Sequence, residues 1–489
     1  MIRLFKADMR SKMLKNTLMG LIFLTSTFMK SAAFAEKIEF NKAQEVGRFN
    51  YQVVSGDGVN KVYLLGSNDL NNDGYDDLIL GANIWVNHSQ STKPKEYQKY
   101  PKPVIMFYDK SSSRYVLDNT LQSTIAPTQW SHRFLTGDYN GDGKLDVFIS
   151  DTGPDNGPPC GGRGVLLLGT TNGLKDASNL LAKTSGFSHA VNVVRVKNKD
   201  VLLEFNNSWH SDRKFCEGYI KYPLVVGPSL VSLESSSTAK FQPISIKVSN
   251  FGKPIFDKKN TNVYASSSSD LDGDGLSDLV IFENKKNSAR LLTAFGKDKL
   301  GLEFSSTKTQ TLPIKISGKV VVDEMIFLPQ NGHITSKLLI SIAVQTPNKK
   351  AFQGNRLHVF AFDNDKKIWT DVTFEHFDKK SWEEAVNSPE QDLTFCDAMS
   401  FADIDGNGES DLICNIQHSI ERGLARDYAP RVWLRTQNKF KPLYLDPKLF
   451  KFKSFGLVPI NLNGDINLAG LEFFWDEKTV VIHRYPIKK

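Results

Sequence analysis

Four short segments concentrate oxygen-bearing side chains at a fixed spacing. Each spans nine residues, carries Asp or Asn at positions 1, 3, 5 and 9, and has Gly at position 6. The segments are residues 69–77, 138–146, 270–278 and 403–411. A hard divalent cation prefers carboxylate, amide and carbonyl oxygens, and one loop can supply them from alternate residues. The spacing therefore predicts about four calcium sites.

The predicted ligands occupy the same positions in every segment. Side chains at positions 1, 3, 5 and 9 and the backbone carbonyl of position 7 would bind the ion, and Gly at position 6 would take a turn conformation that strains other residues. The ligands are Asp69, Asn71, Asp73, Tyr75 and Asp77; Asp138, Asn140, Asp142, Lys144 and Asp146; Asp270, Asp272, Asp274, Leu276 and Asp278; and Asp403, Asp405, Asn407, Glu409 and Asp411. The third segment has four carboxylates where the others have three and an asparagine, so we expect it to bind calcium most tightly.

Two other interpretations of these segments were weighed. An EF-hand needs a carboxylate at position 12 and flanking helices, whereas position 12 here is Leu80, Ile149, Ile281 or Cys414 in strand-like runs. The segments could also be Asp-Gly-rich hairpin turns without metal. Three or four carboxylates within nine residues repel one another unless a cation neutralises them, which favours the metal.

The segments are parts of a longer repeat. Each is preceded by a mixed apolar stretch and followed at once by an apolar run, a pattern typical of strand, tight loop and strand. The same apolar run recurs three times without the acidic loop. Its first residues are Leu78, Val147, Val201, Leu279, Leu338, Leu412 and Leu471, with a mean spacing of 65.5 residues. Seven units of this length fill residues 36–489.

The repeats predict a closed all-β fold. Two further strands follow in each unit, and four antiparallel strands per repeat are typical of a propeller blade. Fourth strands are predicted at residues 302–305 and 368–371, while the last unit ends at its third strand, residues 480–485. We predict a seven-bladed β-propeller of four-stranded antiparallel blades, closed by an N-terminal strand at residues 38–41. The competing fold, two or three β-sandwich domains, would not repeat one loop at a fixed period.

The acidic loops, each followed by an apolar strand, resemble the FG-GAP or VCBS repeats of integrin alpha subunits and of related exported bacterial and fungal propellers. The resemblance implies that calcium holds the blades together, and it does not by itself imply catalysis. The signature is incomplete, because only the first loop continues into Leu-Gly-Ala at residues 80–82 and units three, five and seven lack the loop. Residues 461–465 are a remnant with Ile466 at position 6 and Ala469 at position 9, so we expect no strong site there.

The N-terminus has the composition of a secretory signal. Basic residues precede an apolar run at residues 18–29, and Ala33 and Ala35 offer the small residues of a cleavage site. We predict a signal peptide at residues 1–35 and one propeller domain at residues 36–489, located in the periplasm or outside a bacterial cell. A single amphipathic surface helix is the alternative interpretation of the first segment.

Charge and hydropathy exclude two classes of partner. Residues 1–35 hold six of the 61 basic residues and one of the 54 acidic residues, so the net charge falls from +7 to +2 without them. This balance does not fit the clustered basic face of a nucleic-acid-binding protein. No stretch after the signal is long and apolar enough to span a bilayer. We expect a monomer.

A ligand is expected on the face opposite the calcium loops. Connections alternate between the two faces of an up-and-down blade, so the long connections at residues 83–102, 152–163 and 206–222 lie on that opposite face. They carry candidate ligand-binding residues suited to sugar stacking or to gripping an extended polar ligand: Trp85, Trp209, His210 and Arg213. These side chains could instead pack under their own loops.

The cysteine count allows two disulfides in an oxidising compartment. Cys160 and Cys216 lie in adjacent long loops, so a bridge between blades two and three is predicted. Cys396 and Cys414 lie on the first two predicted strands of blade six. Their pairing depends on a hairpin register that the sequence leaves open.

The sequence contains no HExxH, GxSxG, P-loop or CxxC pattern. We therefore expect a noncatalytic, calcium-binding exported propeller that binds a glycan or protein ligand. The alternative is an exported hydrolase or polysaccharide lyase on the same scaffold, with Arg213, His210 and Asp212 as the residues to test. A third interpretation is a purely structural repeat within an assembly.

Overall fold

The chain folds into seven four-stranded antiparallel sheets in a computed structural model. The structure describes residues 38–488 apart from 51–58, 86–100, 154–160, 172, 197–198, 207–223, 226, 236–237, 244–245, 248–253, 257–262, 286–287, 297–305, 315–318, 331–332, 346–351, 388–395, 397, 416–431, 446–455 and 475–478. The predicted signal peptide lies outside these residues. In the part of the chain that is described, no helix is long and apolar enough to cross a membrane.

The seven sheets follow one another along the chain. Sheet 1 contains β2 (Val59–Asn68), β3 (Asp77–Trp85), β4 (Val104–Asp109) and β5 (Arg114–Leu117). Sheet 2 contains β6 (Ser131–Gly137), β7 (Asp146–Asp151), β8 (Val165–Thr170) and β9 (Gly173–Asp176). Sheet 3 contains β11 (Ser188–Val196), β12 (Lys199–Asn206), β14 (Gly227–Ser235) and β15 (Thr238–Pro243). Sheet 4 contains β18 (Val263–Ser269), β19 (Asp278–Lys285), β20 (Ser288–Phe295) and β21 (Ser306–Thr311).

The remaining sheets repeat the same order. Sheet 5 contains β22 (Lys319–Gln330), β23 (His333–Gln345), β24 (Phe352–Asp363) and β25 (Ile368–Asp371). Sheet 6 contains β26 (Ala398–Ala402), β27 (Asp411–Asn415), β28 (Val432–Thr436) and β29 (Lys439–Leu443). Sheet 7 contains β30 (Leu457–Leu462), β31 (Asp465–Phe474), β32 (Thr479–Pro486) and β1 (Gln44–Asn50).

A few small elements connect the sheets. The short helices are α1 (Asn119–Thr124), α2 (Thr373–His376) and α3 (Lys379–Asn387), with a 3-10 turn at Ser178–Leu180. Two-stranded pairs join β10 (Ser185–Gly186) to β13 (Leu224–Val225) and β16 (Ile246–Lys247) to β17 (Pro254–Phe256).

The core lies between neighbouring sheets. Leu78, Ile79 and Leu80 in β3 are all fully buried, as are Leu338 and Leu339 in β23. Consecutive buried residues point to opposite faces of a strand, so both faces of these sheets are covered. Each buried apolar cluster spans two or three successive sheets, which explains why the second strand of every unit is a continuous apolar run.

The inner strands form a closed ring. β2, β6, β11, β18, β22, β26 and β30 each contact the inner strand of the next sheet, and β30 contacts β2. The hydroxyl of Ser67 in β2 donates a hydrogen bond to the carbonyl of Pro459 in β30. All seven sequence-derived strand starts, from Leu78 to Leu471, lie in the second strand of a sheet. The prediction of a seven-bladed β-propeller is confirmed.

The N-terminal strand completes sheet 7, but it lies further along the chain than predicted. β1 pairs antiparallel with β32, matching Phe49 with Val480. Residues 38–41 extend the same edge through an isolated bridge between Phe40 and Ile487, with backbone hydrogen bonds from Asn41 N–H to Pro486 and from Lys488 N–H to Glu39. The longer pairing begins at residue 44 because Val46 and Phe49 are buried in the core that sheet 7 shares with sheet 1.

Other sequence expectations differ at element ends. The fourth strand of sheet 4 is Ser306–Thr311, after the predicted residues 302–305, which lie outside the described residues. The strand predicted at residues 368–371 is confirmed as β25. β3 extends through Trp85, which pairs with Val59, so the first long connection starts later than residue 83.

One predicted disulfide is present. Cys396, which precedes β26, is bonded to Cys414 in β27 with a Cα–Cα distance of 4.8 Å. Both cysteines are buried, and Cys414 pairs with Met399 across the hairpin. Cys160 and Cys216 lie outside the described residues, so their pairing stays a prediction.

Candidate metal sites

The aspartate at position 9 of every acidic loop is buried and ties the loop to its own sheet. Asp278 Oδ2 accepts from the Leu271 N–H and its Oδ1 from the Gly296 N–H, each at 2.8 Å. Equivalent pairs are made by Asp77 with Leu70 and Tyr108, by Asp146 with Tyr139 and Gly169, and by Asp411 with Ile404 and Arg435. Position 9 therefore joins the second loop residue to the end of the third strand in all four blades.

The aspartate at position 1 organises the turn. Asp270 Oδ1 accepts from the N–H groups of Gly273 and Asp274, and its Oδ2 accepts from Gly275 at 2.8 Å. The glycine at position 6 has a left-handed conformation in each loop, with φ of +83° at Gly275 and +86° at Gly408. A side chain there would be strained, so the predicted role of this glycine is confirmed.

Positions 1, 3 and 9 bring their oxygens together. Asp270, Asp272 and Asp278 place one carboxylate oxygen each within 4.8 Å of one another, and Asp403, Asp405 and Asp411 do the same. The first two loops have Asn71 and Asn140 at position 3, so the equivalent positions there hold two carboxylates and one amide. Position 5 of the third loop, Asp274, is not in its group, and its Oδ1 accepts from Leu276 N–H at 2.9 Å.

Burial of these carboxylates has an electrostatic cost. It raises the pKa of Asp77 to about 8 and of Asp411 to about 7, and it raises the pKa of Asp146 and Asp278 to about 6. Neighbouring loop carboxylates raise these pKa values further, while backbone N–H groups act in the opposite direction. A bound cation would stabilise the charged forms.

The third loop contains an oxygen without a partner. Asp272 Oδ1 is buried and accepts no hydrogen bond from the described residues, although it lies in the group of three carboxylates. Its other oxygen is 3.5 Å from Lys367 Nζ, which reaches the loop from sheet 5. Three grouped carboxylates, one of which has a buried oxygen without a hydrogen-bond partner, supply the oxygen donors that a hard cation needs, so these residues fit calcium.

Position 7 side chains point to other partners. Tyr75 stacks on Tyr108 with 5.2 Å between ring centroids, and the Lys144 ammonium lies 3.7 Å from Asp142. Glu409 accepts from the Asn438 N–H at 3.0 Å. These side chains make contacts of their own, and the role of the position-7 carbonyls as ligands stays a prediction.

The remnant at residues 461–465 is a tight hairpin that docks on the first acidic loop. Asn463 and Gly464 both have positive φ, and Leu462 pairs with Asp465. Asp76 N–H donates to the Asn461 carbonyl, and Asn463 N–H donates to the Gly74 carbonyl at 3.0 Å. The segment thus joins the last sheet to the first.

Most of the predicted ligand-binding residues lie outside the described part of the structure. Trp209, His210 and Arg213 lie outside the described residues, as does Asp212. Trp85 is the last residue of β3. Their predicted role stays a prediction.

Two pockets were missed by the sequence analysis. One of about 440 Å³ lies against β2, β6, β26 and β30, near the acidic loops at the centre of the ring. A smaller one of about 30 Å³ is lined by Asp151, Glu204 and Arg163 between sheets 2 and 3. Burial raises the pKa of Glu204 to about 7. Asp151 is held by the N–H groups of Gln129, Trp130 and Gly153, each at 2.8 Å.

An ion pair also crosses the ring. Arg133 in β6 contacts the carboxylate of Glu324 in β22, and both side chains are largely buried. Sheets 2 and 5 are not neighbours, so the pair spans the axis. Separation by 191 residues puts such a contact beyond any local sequence signal.

Neither a protein-family model nor a curated protein matches this chain. Among solved structures, it is similar to an α-L-arabinofuranosidase from Clostridium thermocellum, at 13% identity over 64% of this chain and 95% of that one, with a TM-score of 0.32. It is also similar to the rhamnogalacturonan lyase YesW at 10% identity, over 91% of this chain and 75% of that one, with a TM-score of 0.33. It is similar to the sialidase of Trypanosoma rangeli at 12% sequence identity, over 78% of this chain and 57% of that one, with a TM-score of 0.35. Scores this low carry no argument about function.

Proposed function

We propose that this chain is an exported, calcium-stabilised β-propeller of the FG-GAP or VCBS type that binds a glycan. Calcium would be held by side-chain oxygens of positions 1, 3 and 9, which are carboxylates except for the amides of Asn71 and Asn140, with the position-5 side chain and position-7 carbonyl completing each loop. When bound, the ion supplies charge neutralisation. The chain's own residues orient the oxygens through the backbone bonds of positions 1 and 9.

One observation carries the calcium part of the proposal. Asp272 has a buried Oδ1 without a hydrogen-bond partner among the described residues, and one oxygen of its carboxylate lies within 4.8 Å of oxygens from Asp270 and Asp278. Such a group is costly to leave uncompensated. A divalent cation is the simplest partner that satisfies all three carboxylates at once.

Calcium titration tests this part directly. Protein treated with a chelator should melt at a lower temperature, and added calcium should restore the melting temperature with about four ions bound per chain. Magnesium should restore less, because it demands tighter octahedral geometry. An unchanged melting temperature after chelation, with no calorimetric binding, would reject the metal role.

The glycan part rests on the predicted export signal and on the loop-face aromatic residues of the sequence. Chains with this balance of charge are not expected to bind nucleic acid, and we propose a monomer. A glycan array probed with calcium-loaded protein tests the ligand class. Binding to peptides and to no glycan would reject it.

A second candidate function is a polysaccharide-active enzyme. The observation that favours it is that Asp151 and Glu204 line one pocket beside Arg163, with a pKa of about 7 for Glu204. A carboxylic acid of that pKa is protonated and ionised in comparable amounts near neutral pH, as a general acid requires.

Polysaccharide cleavage assays separate the two candidates. Release of reducing ends or of unsaturated products by the wild type, and its loss in Glu204→Gln, would support the enzyme. Glycan binding without cleavage by the wild type would support the binding module.

A further inference from the structure

The pocket at the centre of the ring has the composition of a sugar site. Its volume is about 440 Å³, which falls in the range of small-molecule sites. The lining residues belong to the inner strands of sheets 1, 2, 6 and 7 and to the loops at the ends of those strands. We propose that this pocket binds a neutral monosaccharide unit of a glycan, an inference that rests on the proposed glycan-binding function.

Apolar surface is present on the pocket wall. Phe134 in β6 and Phe401 in β26 line the pocket and are only partly buried. A Cβ at position 66 would overlap the Phe134 ring, so only glycine allows the ring to pack this closely against β2. Aromatic rings with one free side are suited to stacking on the apolar face of a pyranose.

Polar groups with unused hydrogen-bonding capacity line the same space. Ser400 Oγ is buried and has no hydrogen-bond partner among the described residues. Asp76 Oδ2 accepts from the Asn461 N–H at 2.8 Å, which leaves Oδ1 for a hydroxyl group. The Asn68 amide is 3.4 Å from Thr136 Oγ1, a long contact that a sugar hydroxyl could replace.

Charge selects among sugars. Asp76 is the only ionisable residue among the described residues that line the pocket. A single carboxylate accepts hydroxyl groups of a neutral sugar and repels the carboxylate of a uronic or sialic acid. The pocket therefore favours a neutral residue.

The test uses calcium-loaded protein and the methyl glycosides of glucose, galactose, mannose, fucose and xylose, with methyl glucuronide and the methyl glycoside of sialic acid as charged probes. Titration calorimetry gives the dissociation constants. We expect at least one neutral glycoside to bind the wild type at least about tenfold more tightly than either acid. Ser400→Phe, which fills the pocket, should weaken that binding at least about tenfold.

Further variants keep the result interpretable. Phe401→Ala removes a stacking surface and Ser400→Ala removes one hydroxyl, and both should weaken binding even if Ser400→Phe fails to fold. Val116→Phe, at an exposed position in β5, is the control and should bind as the wild type does. Each variant's melting temperature with calcium reports its folding.

The possible outcomes are distinct. Unchanged affinity in folded Ser400→Phe and Phe401→Ala would overturn the pocket assignment and leave glycan binding in place. Tighter binding of an acidic probe would also overturn it. Failure of every glycoside and of a glycan array with the wild type would overturn the proposed glycan function itself, and the pocket assignment with it.

Discussion

Replacing Asp278 by Asn should separate the two roles of position 9. The carboxylate accepts two backbone N–H groups at 2.8 Å, whereas an amide offers one oxygen and one NH2 group. One buried N–H would then face a donor. Losing a hydrogen bond to a charged group costs roughly 1.5–3 kcal/mol, so we expect about 3 kcal/mol of destabilisation without calcium.

Calcium should increase that difference. An ion at a hundredfold excess over its dissociation constant stabilises the folded state by about 2.7 kcal/mol per site if the unfolded chain does not bind it. Asp278→Asn should lose this contribution at one site. The total destabilisation in calcium is therefore about twice the value measured with a chelator.

The assay compares urea unfolding with chelator and with calcium, alongside calorimetric counting of sites. We expect the variant to bind one ion fewer than the wild type. Asp109→Asn is the matched control, since Asp109 caps the β4–β5 turn by accepting from Ser111 N–H at 2.9 Å and lies in no acidic loop. If Asp278→Asn keeps every site and loses equal stability in both conditions, position 9 is a backbone clamp and not a ligand.

Three further predictions concern other parts of the ring. Burial raises the pKa of Glu204 from 4.5 to about 7, so the protonated form stabilises the fold and about 3 kcal/mol is lost as the pH rises between these values. Glu204→Gln should therefore gain stability over the wild type between about pH 5 and pH 8 in urea unfolding, and a constant difference would contradict this. Arg133→Met should destabilise the fold by roughly 3–5 kcal/mol because the largely buried Glu324 carboxylate loses its ion pair with Arg133, and the double variant Arg133→Met/Glu324→Leu should recover part of the loss; additive losses in denaturation would argue against the pair. The bond between Cys396 and Cys414 closes a segment of 18 residues and should contribute about 3 kcal/mol, so a reductant should lower the wild-type melting temperature but not that of the double serine variant.

The architecture could be predicted from the sequence because one signal repeats. An apolar second strand recurs seven times, and sheets covered on both faces require such a run. Strand ends were predicted less well. Residues 38–41 resemble a fourth strand in composition, but burial of Val46 and Phe49 between sheets 7 and 1 selects residues 44–50.

The acidic loops were predicted in position but not in full function. The spacing places oxygens around a centre, and it contains the glycine with positive φ. The spacing does not reveal that Asp278 also accepts a hydrogen bond from the Gly296 N–H, because that contact depends on the third strand, 18 residues further along the chain. Long-range pairing of this kind is decided by the sheet and not by the loop.

Neither the ion pair between Arg133 and Glu324 nor the central pocket could be predicted from the sequence. Arg133 and Glu324 lie 191 residues apart, and the residues of the central pocket come from four separate sheets. No sequence pattern within a single inner strand indicates these contacts. Their proximity follows only once seven sheets close a circle.

The pairing of β1 with β32 has a consequence for how the protein is made. The residues that complete the last blade are translated first, and their partners at Thr479–Pro486 are translated more than 400 residues later. Until the ribosome finishes, β1 is an unpaired edge that can join strands of other chains. A circular permutant that starts at β2 would place β1 directly after β32, so this pairing would become local in the chain and should form without the delay.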